Sequence, residues 1–123
     1  MDVRNLVDVP AFVTKDGSEI RELLAHRNSC LRRQSLAEAR LSPGKATTPH
    51  YHRTAEEIYY ILEGRGTMRL QDEVRPVGPG DAIAIPPGAV HEIRADPDTP
   101  LRFLCCCSPP YEHEDTVLVA PSR

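Results

Sequence analysis

His50 and His52 stand one residue apart in the stretch TTPHYHRTAEEIYYILEG, which runs from Thr47 to Gly64. In an extended strand the side chains at i and i+2 leave the same face. The two imidazoles therefore project together, with their backbones roughly 7 Å apart, and both can reach one ion. Glu57 lies an odd number of residues beyond His52, and an unbroken strand would send it to the other face. The polar RTAE between them can turn the chain instead. A new strand then begins near Glu57, with Glu57, Tyr59 and Ile61 on one face and Ile58, Tyr60 and Leu62 on the other. A third histidine, His91, follows a proline-glycine turn in PPGAVHEIRA. Three imidazoles and one carboxylate form a mixed nitrogen and oxygen donor set. It suits Fe(II), Mn(II), Ni(II), Co(II) or Zn(II) better than Ca(II) or Mg(II). Four such ligands leave a divalent ion with a net charge of about +1 and about two open positions in an octahedral shell. Water, dioxygen or a chelating substrate can take those positions. Tyr59 shares the face of Glu57, and its hydroxyl is a candidate acid, base or hydrogen-bond donor. A barrel-filling aromatic is an equal reading.

These side chains need a frame. The chain holds twelve prolines and seven glycines, which break it into short apolar runs through SPGK, EGRG, VGPGD, IPPG, DPDTP and SPPYE. Between them, RQSLAEARL, EEIYYIL, GTMRL, DAIAIP, VHEIRA and LRFLCCC read as strands. Turn signals this closely spaced predict an antiparallel sandwich or barrel. SEIRELLAHRN fits a helix by the spacing of Ile20, Leu23 and Leu24, or an early strand pairing across the barrel or across a dimer. The strand is preferred. The tail EDTVLVAPSR is expected to return onto the body and then fray.

With 123 residues and a formal net charge of −3, the chain fits one domain with its own apolar core. An acidic pI of about 5.9 and the lack of a basic patch argue against a nucleic-acid partner. No apolar run reaches bilayer length, and MDVRNLVDVPAF does not read as a signal peptide. The expected compartment is the cytoplasm. Cys30 and the run Cys105, Cys106, Cys107 read as reduced thiols, because consecutive strand residues alternate faces and pair poorly. One parity of LRFLCCC would bring thiol beside the metal cavity, but the sequence leaves open which. Arg40, Arg69 and Arg102 are candidate anion anchors by charge, although surface positions suit them better. His113 is a candidate cap for the pocket mouth, and His26 has no evident partner.

The histidine motifs resemble those of the cupins, small β-barrels whose first motif is usually written G-x5-H-x-H-x3,4-E-x6-G. GKATTPHYHRTAEEIYYILEG supplies Gly44, His50, His52, Glu57 and Gly64. Glu57 fits the second gap better than Glu56. The second motif, G-x5-P-x-G-x2-H-x3-N, is matched by Gly80, Pro86, Gly88 and His91, with Ala95 in place of asparagine. The resemblance spans Gly44 to Ala95. It implies an all-β double-stranded β-helix, or jelly roll, of two antiparallel sheets over residues 1–123. It also implies one divalent transition-metal ion held by His50, His52, Glu57 and His91, and homodimers in which N-terminal strands pair with the partner. Family activities span dioxygenases, isomerases, lyases and binding modules. The expectation is a metal-dependent enzyme acting on a small polar hydroxy-acid, enol or sugar-like ligand. A non-catalytic, metal-dependent binding or sensing protein is the alternative.

Overall fold

The alternating runs fold as two antiparallel sheets facing each other across an apolar layer. The computed structural model describes residues 1–120. In spatial order the first sheet holds β1 (Phe12–Val13), β2 (Glu19–Leu24), β3 (Ser35–Leu41), β10 (Leu101–Ser108), β5 (Glu56–Glu63) and β8 (Ala82–Ile85). The second holds β11 (Thr116–Leu118), β4 (His50–His52), β9 (His91–Ala95), β6 (Gly66–Leu70) and β7 (Glu73–Val77). This is the all-β jelly roll expected from the motifs. The alternative helix over Ser18–Asn28 gives way to a strand, and β2 pairs with β3 of the same chain. The run Glu73–Val77, which contains Pro76, was not among the expected strands. It forms at the edge of the second sheet, beside β6 alone, where a missing backbone donor is tolerated. The tail returns as β11 and pairs with β4. The expected fraying at the end of the tail lies outside the described residues.

Register grades the inner face of the first sheet from polar to apolar. Ser35 and Glu57 both flank Cys107, and Ala37 and Tyr59 flank Cys105. Ala39 and Ile61 flank Phe103, and Leu41 faces Leu101. The second sheet matches this gradient: His91, Ile93 and Ala95 of β9 lie opposite Leu70, Met68 and Gly66. Ile61, Ile93, Leu101 and Phe103 are fully buried at the apolar end, and their burial supplies the main force closing the barrel. The polar residues sit together at the other end because two-residue periodicity keeps them in line with that core.

The arginines weighed as anion anchors lie on the outer face. Arg40 and Arg102 each donate to the buried carboxylate of Glu38 at 2.8 Å, and Arg102 also donates to Glu63 at 2.8 Å. Arg69 pairs with Glu92 at 3.3 Å.

Candidate metal centre

Three strands, β4, β5 and β9, bring the four candidate ligands together. Short strand β4 presents His50 and His52 to the interior, and His50 is paired directly with His91 of β9. Glu57 opens β5 from the facing sheet. All four side chains are buried, at 6 % exposure or less, whereas Glu56 is exposed. The ring nitrogens of His50, His52 and His91 that face one another lie within 4.8 Å, so the three imidazoles form a group that could hold a metal ion. Glu57 Oε1 lies 3.1 Å from His52 Nε2 and 3.5 Å from His91 Nε2.

The outward nitrogens determine what the inward ones can do. His50 Nδ1 lies 2.7 Å from the Thr48 carbonyl and His91 Nδ1 lies 2.9 Å from the Ala89 carbonyl. A carbonyl only accepts, so both Nδ1 atoms carry hydrogen. His52 Nδ1 lies 3.1 Å from Thr116 Oγ1, whose hydroxyl donates to the Glu112 carbonyl, so this Nδ1 donates as well. In a neutral imidazole each Nε2 is then a bare lone pair. These lone pairs converge with a carboxylate, and His91 Nε2 is buried without any hydrogen-bond partner. Convergent unpaired lone pairs in a buried site are costly unless protons or a cation lie between them. The donor set and its orientation therefore fit a divalent transition metal, with the outward hydrogen bonds fixing each ring.

Electrostatics point the same way. Burial works to raise the Glu57 pKa, but the hydrogen bond from His52 and the proximity of His52 and His91 overcome it and pull the group down to about 2. Burial works to lower His52, yet the Glu57 carboxylate raises it above its ordinary value. His50 is lowered, chiefly by burial and then by the neighbouring His91. Glu57's contribution to stability is present above its ordinary pKa and is lost as pH falls through about 2. That of His52 is present below its ordinary pKa and is lost as pH rises through its raised value. An incoming ion must displace the proton on His52, whereas His50 is already neutral near pH 7. Metal affinity should therefore rise with pH from 6 upward and level off above the raised His52 pKa, with release of about one proton per ion. Calorimetric titration in buffers of different ionisation enthalpy measures this. A flat or falling dependence would contradict the proton assignment.

The parity question for LRFLCCC is resolved: Phe103, Cys105 and Cys107 face the cavity. The Cys107 thiol donates to Glu57 Oε2 at 3.1 Å, which leaves Oε1 toward the histidines. Burial first, and then Glu57, pushes the Cys107 thiol well up, so it stays protonated. All four cysteines are unbridged. Tyr59 also lines the cavity, its ring 5.8 Å from that of His91. His26 pairs with Glu112 at 3.1 Å on the surface, and His113 is exposed. Sequence reasoning missed Asp16, Thr116 and Tyr111. Asp16 is at the cavity and Tyr111 lines it, while Thr116 orients His52 from outside. For Asp16 a signal existed, since Asp-Gly marks a hairpin turn, but nothing local said where the hairpin folds.

A two-sheet β-barrel with three buried histidines that could hold a metal ion at its polar end is the architecture of a cupin. The chain belongs to the cupin family, and the family model described as Cupin domain matches residues 37–107. An uncharacterized protein of Methanocaldococcus jannaschii, MJ1618, is 50% identical over 111 residues, covering 90% of this chain and 89% of that one. The oxalate-binding protein of Thermotoga maritima is 31% identical over 86 residues, covering 70% of this chain and 71% of the relative. Among solved structures, the polyketide cyclase RemF of Streptomyces resistomycificus superposes with a TM-score of 0.84 at 30% identity, covering 99% of this chain and 87% of that one. Among the described residues, no helix is long and apolar enough to cross a membrane.

Proposed function

We propose that the protein is a metal-dependent enzyme in which His50, His52, Glu57 and His91 hold one divalent transition-metal ion. Its substrate is a compact oxygen-rich molecule, a hydroxy-acid, enol or sugar-like compound. The observation that carries this reading is the convergence of three Nε2 atoms whose Nδ1 partners are already fixed as donors. A bound ion would supply Lewis acidity to a substrate carbonyl or enol oxygen. The protein's own groups would do the rest. Cys107 orients Glu57. Tyr59, kept protonated by burial and then by Glu57, offers a hydroxyl as hydrogen-bond donor rather than as base. Ile20, Phe103 and Phe12 wall the cavity with apolar surface and limit water. The cavity measures about 40 Å³, room for a few waters, which favours a small ligand over a polycyclic one.

A second reading, a non-catalytic binding protein, draws on the likeness to the Thermotoga oxalate-binding protein. A homodimer is proposed as well. Leu36, Cys106 and Ile58 lie side by side on the outer face of the first sheet, next to Leu104 and Tyr60, and Ile58 and Tyr60 are 51% and 43% exposed. Reduced cysteines suit a cytoplasmic location. Metal analysis of the purified full chain, followed by assay against enolisable hydroxy-acids, dicarboxylates and sugars, tests the main reading. We expect near-stoichiometric transition metal and turnover that chelation abolishes and re-addition restores. Metal-dependent ligand binding without turnover would select the binding protein. Failure to take up any transition metal would remove both.

A further inference from the structure

We propose that Asp16, at the tip of the β1–β2 hairpin, supplies a fifth protein ligand atom, Oδ2, to the cation held by the histidines. The proposal rests on the metal reading above and extends it to a residue outside the two histidine motifs. The hairpin tip is firmly placed. The Thr48 N–H donates to the Asp16 carbonyl at 2.7 Å, and Lys15 Nζ donates to the Thr116 carbonyl at 2.8 Å. The hairpin is thus tied to the segments that carry His50 and orient His52.

The two oxygens of Asp16 have different surroundings. Oδ1 accepts from Thr14 Oγ1 at 2.7 Å, Ser18 N at 2.9 Å and Ser18 Oγ at 2.6 Å. Those bonds make an ordinary Asx turn and account fully for an aspartate at this position, but they leave Oδ2 unexplained. Oδ2 lies 3.4 Å from His50 Nε2, and the side chain is 14% exposed. Since His50 Nδ1 donates to the Thr48 carbonyl, the neutral ring presents Oδ2 with a lone pair rather than a hydrogen. Something positive belongs between them.

The spacing fits a shared ion. Ligand atoms about 2.1 Å from a metal stand about 3.0 Å apart at right angles and about 3.4 Å apart at tetrahedral angles. The His52–Glu57, His91–Glu57 and His50–Asp16 separations are 3.1, 3.5 and 3.4 Å. They are consistent with edges of one coordination polyhedron. A second carboxylate would bring the site from about +1 to neutral with a divalent ion. It would also leave about one open octahedral position, so a bidentate ligand must displace Asp16.

The test uses Co(II) with the full-length protein and with Asp16→Asn, which keeps the Oδ1 acceptor of the turn. Asp16→Ala serves as a second variant. Co(II) affinity is measured by chelator competition, and azide affinity of the Co(II)-loaded protein is read from visible absorption. We expect Asp16→Asn to weaken Co(II) binding at least about tenfold. Azide should bind the variant more tightly than wild type, because the site gains positive charge. A purely structural role for Asp16 would not tighten azide. Unchanged affinities for both Co(II) and azide would overturn the proposal while leaving the four-ligand site intact. No Co(II) binding by wild type would overturn the metal reading and the proposal with it. Should neither variant fold, a crystal structure of Co(II)-loaded wild type decides. Oδ2 within about 2.3 Å of the ion upholds the assignment, and a gap beyond about 3 Å refutes it.

Discussion

His52→Ala is expected to lower divalent transition-metal affinity at least about a hundredfold, or about 2.8 kcal/mol, while the β-sheet signature in circular dichroism survives. Loss of a residue that only orients a ligand costs about 10- to 100-fold, and His52 is itself a proposed ligand. Its ring also has two neighbours that suffer when it goes. Thr116 Oγ1 loses a donor, and Glu57 Oε1 loses its hydrogen-bond partner 3.1 Å away. The fold should tolerate this, because the apolar layer around Ile61, Phe103 and Ile93 is a separate block of the barrel. The acid sensitivity of the chelator-treated variant should shift to higher pH. In wild type, burial of Glu57 is overcome by the histidines and its pKa is held at about 2, so the carboxylate stabilises the fold above its ordinary pKa. Without His52 the largest influence opposing burial is gone and the folded pKa rises from that value. Glu57 then stabilises the fold less at neutral pH, and its contribution is lost at a higher pH than in wild type. Metal affinity by competition and melting temperature between pH 4 and 8 check both halves. His26→Ala is the control, since His26 pairs with Glu112 at the surface and should leave metal affinity unchanged. Retention of wild-type affinity by His52→Ala would refute the ligand assignment.

The sequence made some of this site legible and hid the rest, for physical reasons. The parity of β5 was readable, because a strand with Tyr59 and Ile61 on the buried face must bury Glu57 too. The convergence of His50 and His52 followed from the same rule. The identical rule failed on β10. Cys105, Cys106 and Cys107 are of one type, so composition does not say which face is wet, and only the pairing of Cys107 with Glu57 decides it. Asp16 was hidden for another reason. Its position depends on a long-range contact, the Thr48 N–H to the Asp16 carbonyl, that no local pattern encodes. The strand Glu73–Val77 was missed as well: a strand containing Pro76 is tolerated only at an edge, and edges are set by topology. What was legible is what periodicity dictates within one segment. What was missed depends on which segments become neighbours.

That dependence on neighbours also sets the largest expected effect on stability, at Gly64. Gly64→Ala should destabilise the protein by about 4 kcal/mol or more, lowering the melting temperature by roughly 15 °C or leaving the chain insoluble. Gly64 has φ +84°, where an L side chain costs about 1–2 kcal/mol. The greater problem is contact. A Cβ at this position would lie 2.0 Å from the Pro100 carbonyl oxygen and 3.1 Å from the Leu101 Cα. These are backbone atoms and cannot rotate away, so the start of β10 would have to move. β10 carries Phe103 into the core and Cys107 to Glu57, and a shift at its first residue is passed along seven register pairs to β3. Gly80 separates the two causes. Its φ is +91°, yet a Cβ there meets nothing within 4 Å. Gly80→Ala should therefore cost only the backbone term of about 1–2 kcal/mol. Thermal denaturation of the two variants side by side measures the difference. Equal losses would mean that the approach of the β5–β6 turn to Pro100 contributes nothing, and that conformational freedom alone explains the glycine at position 64.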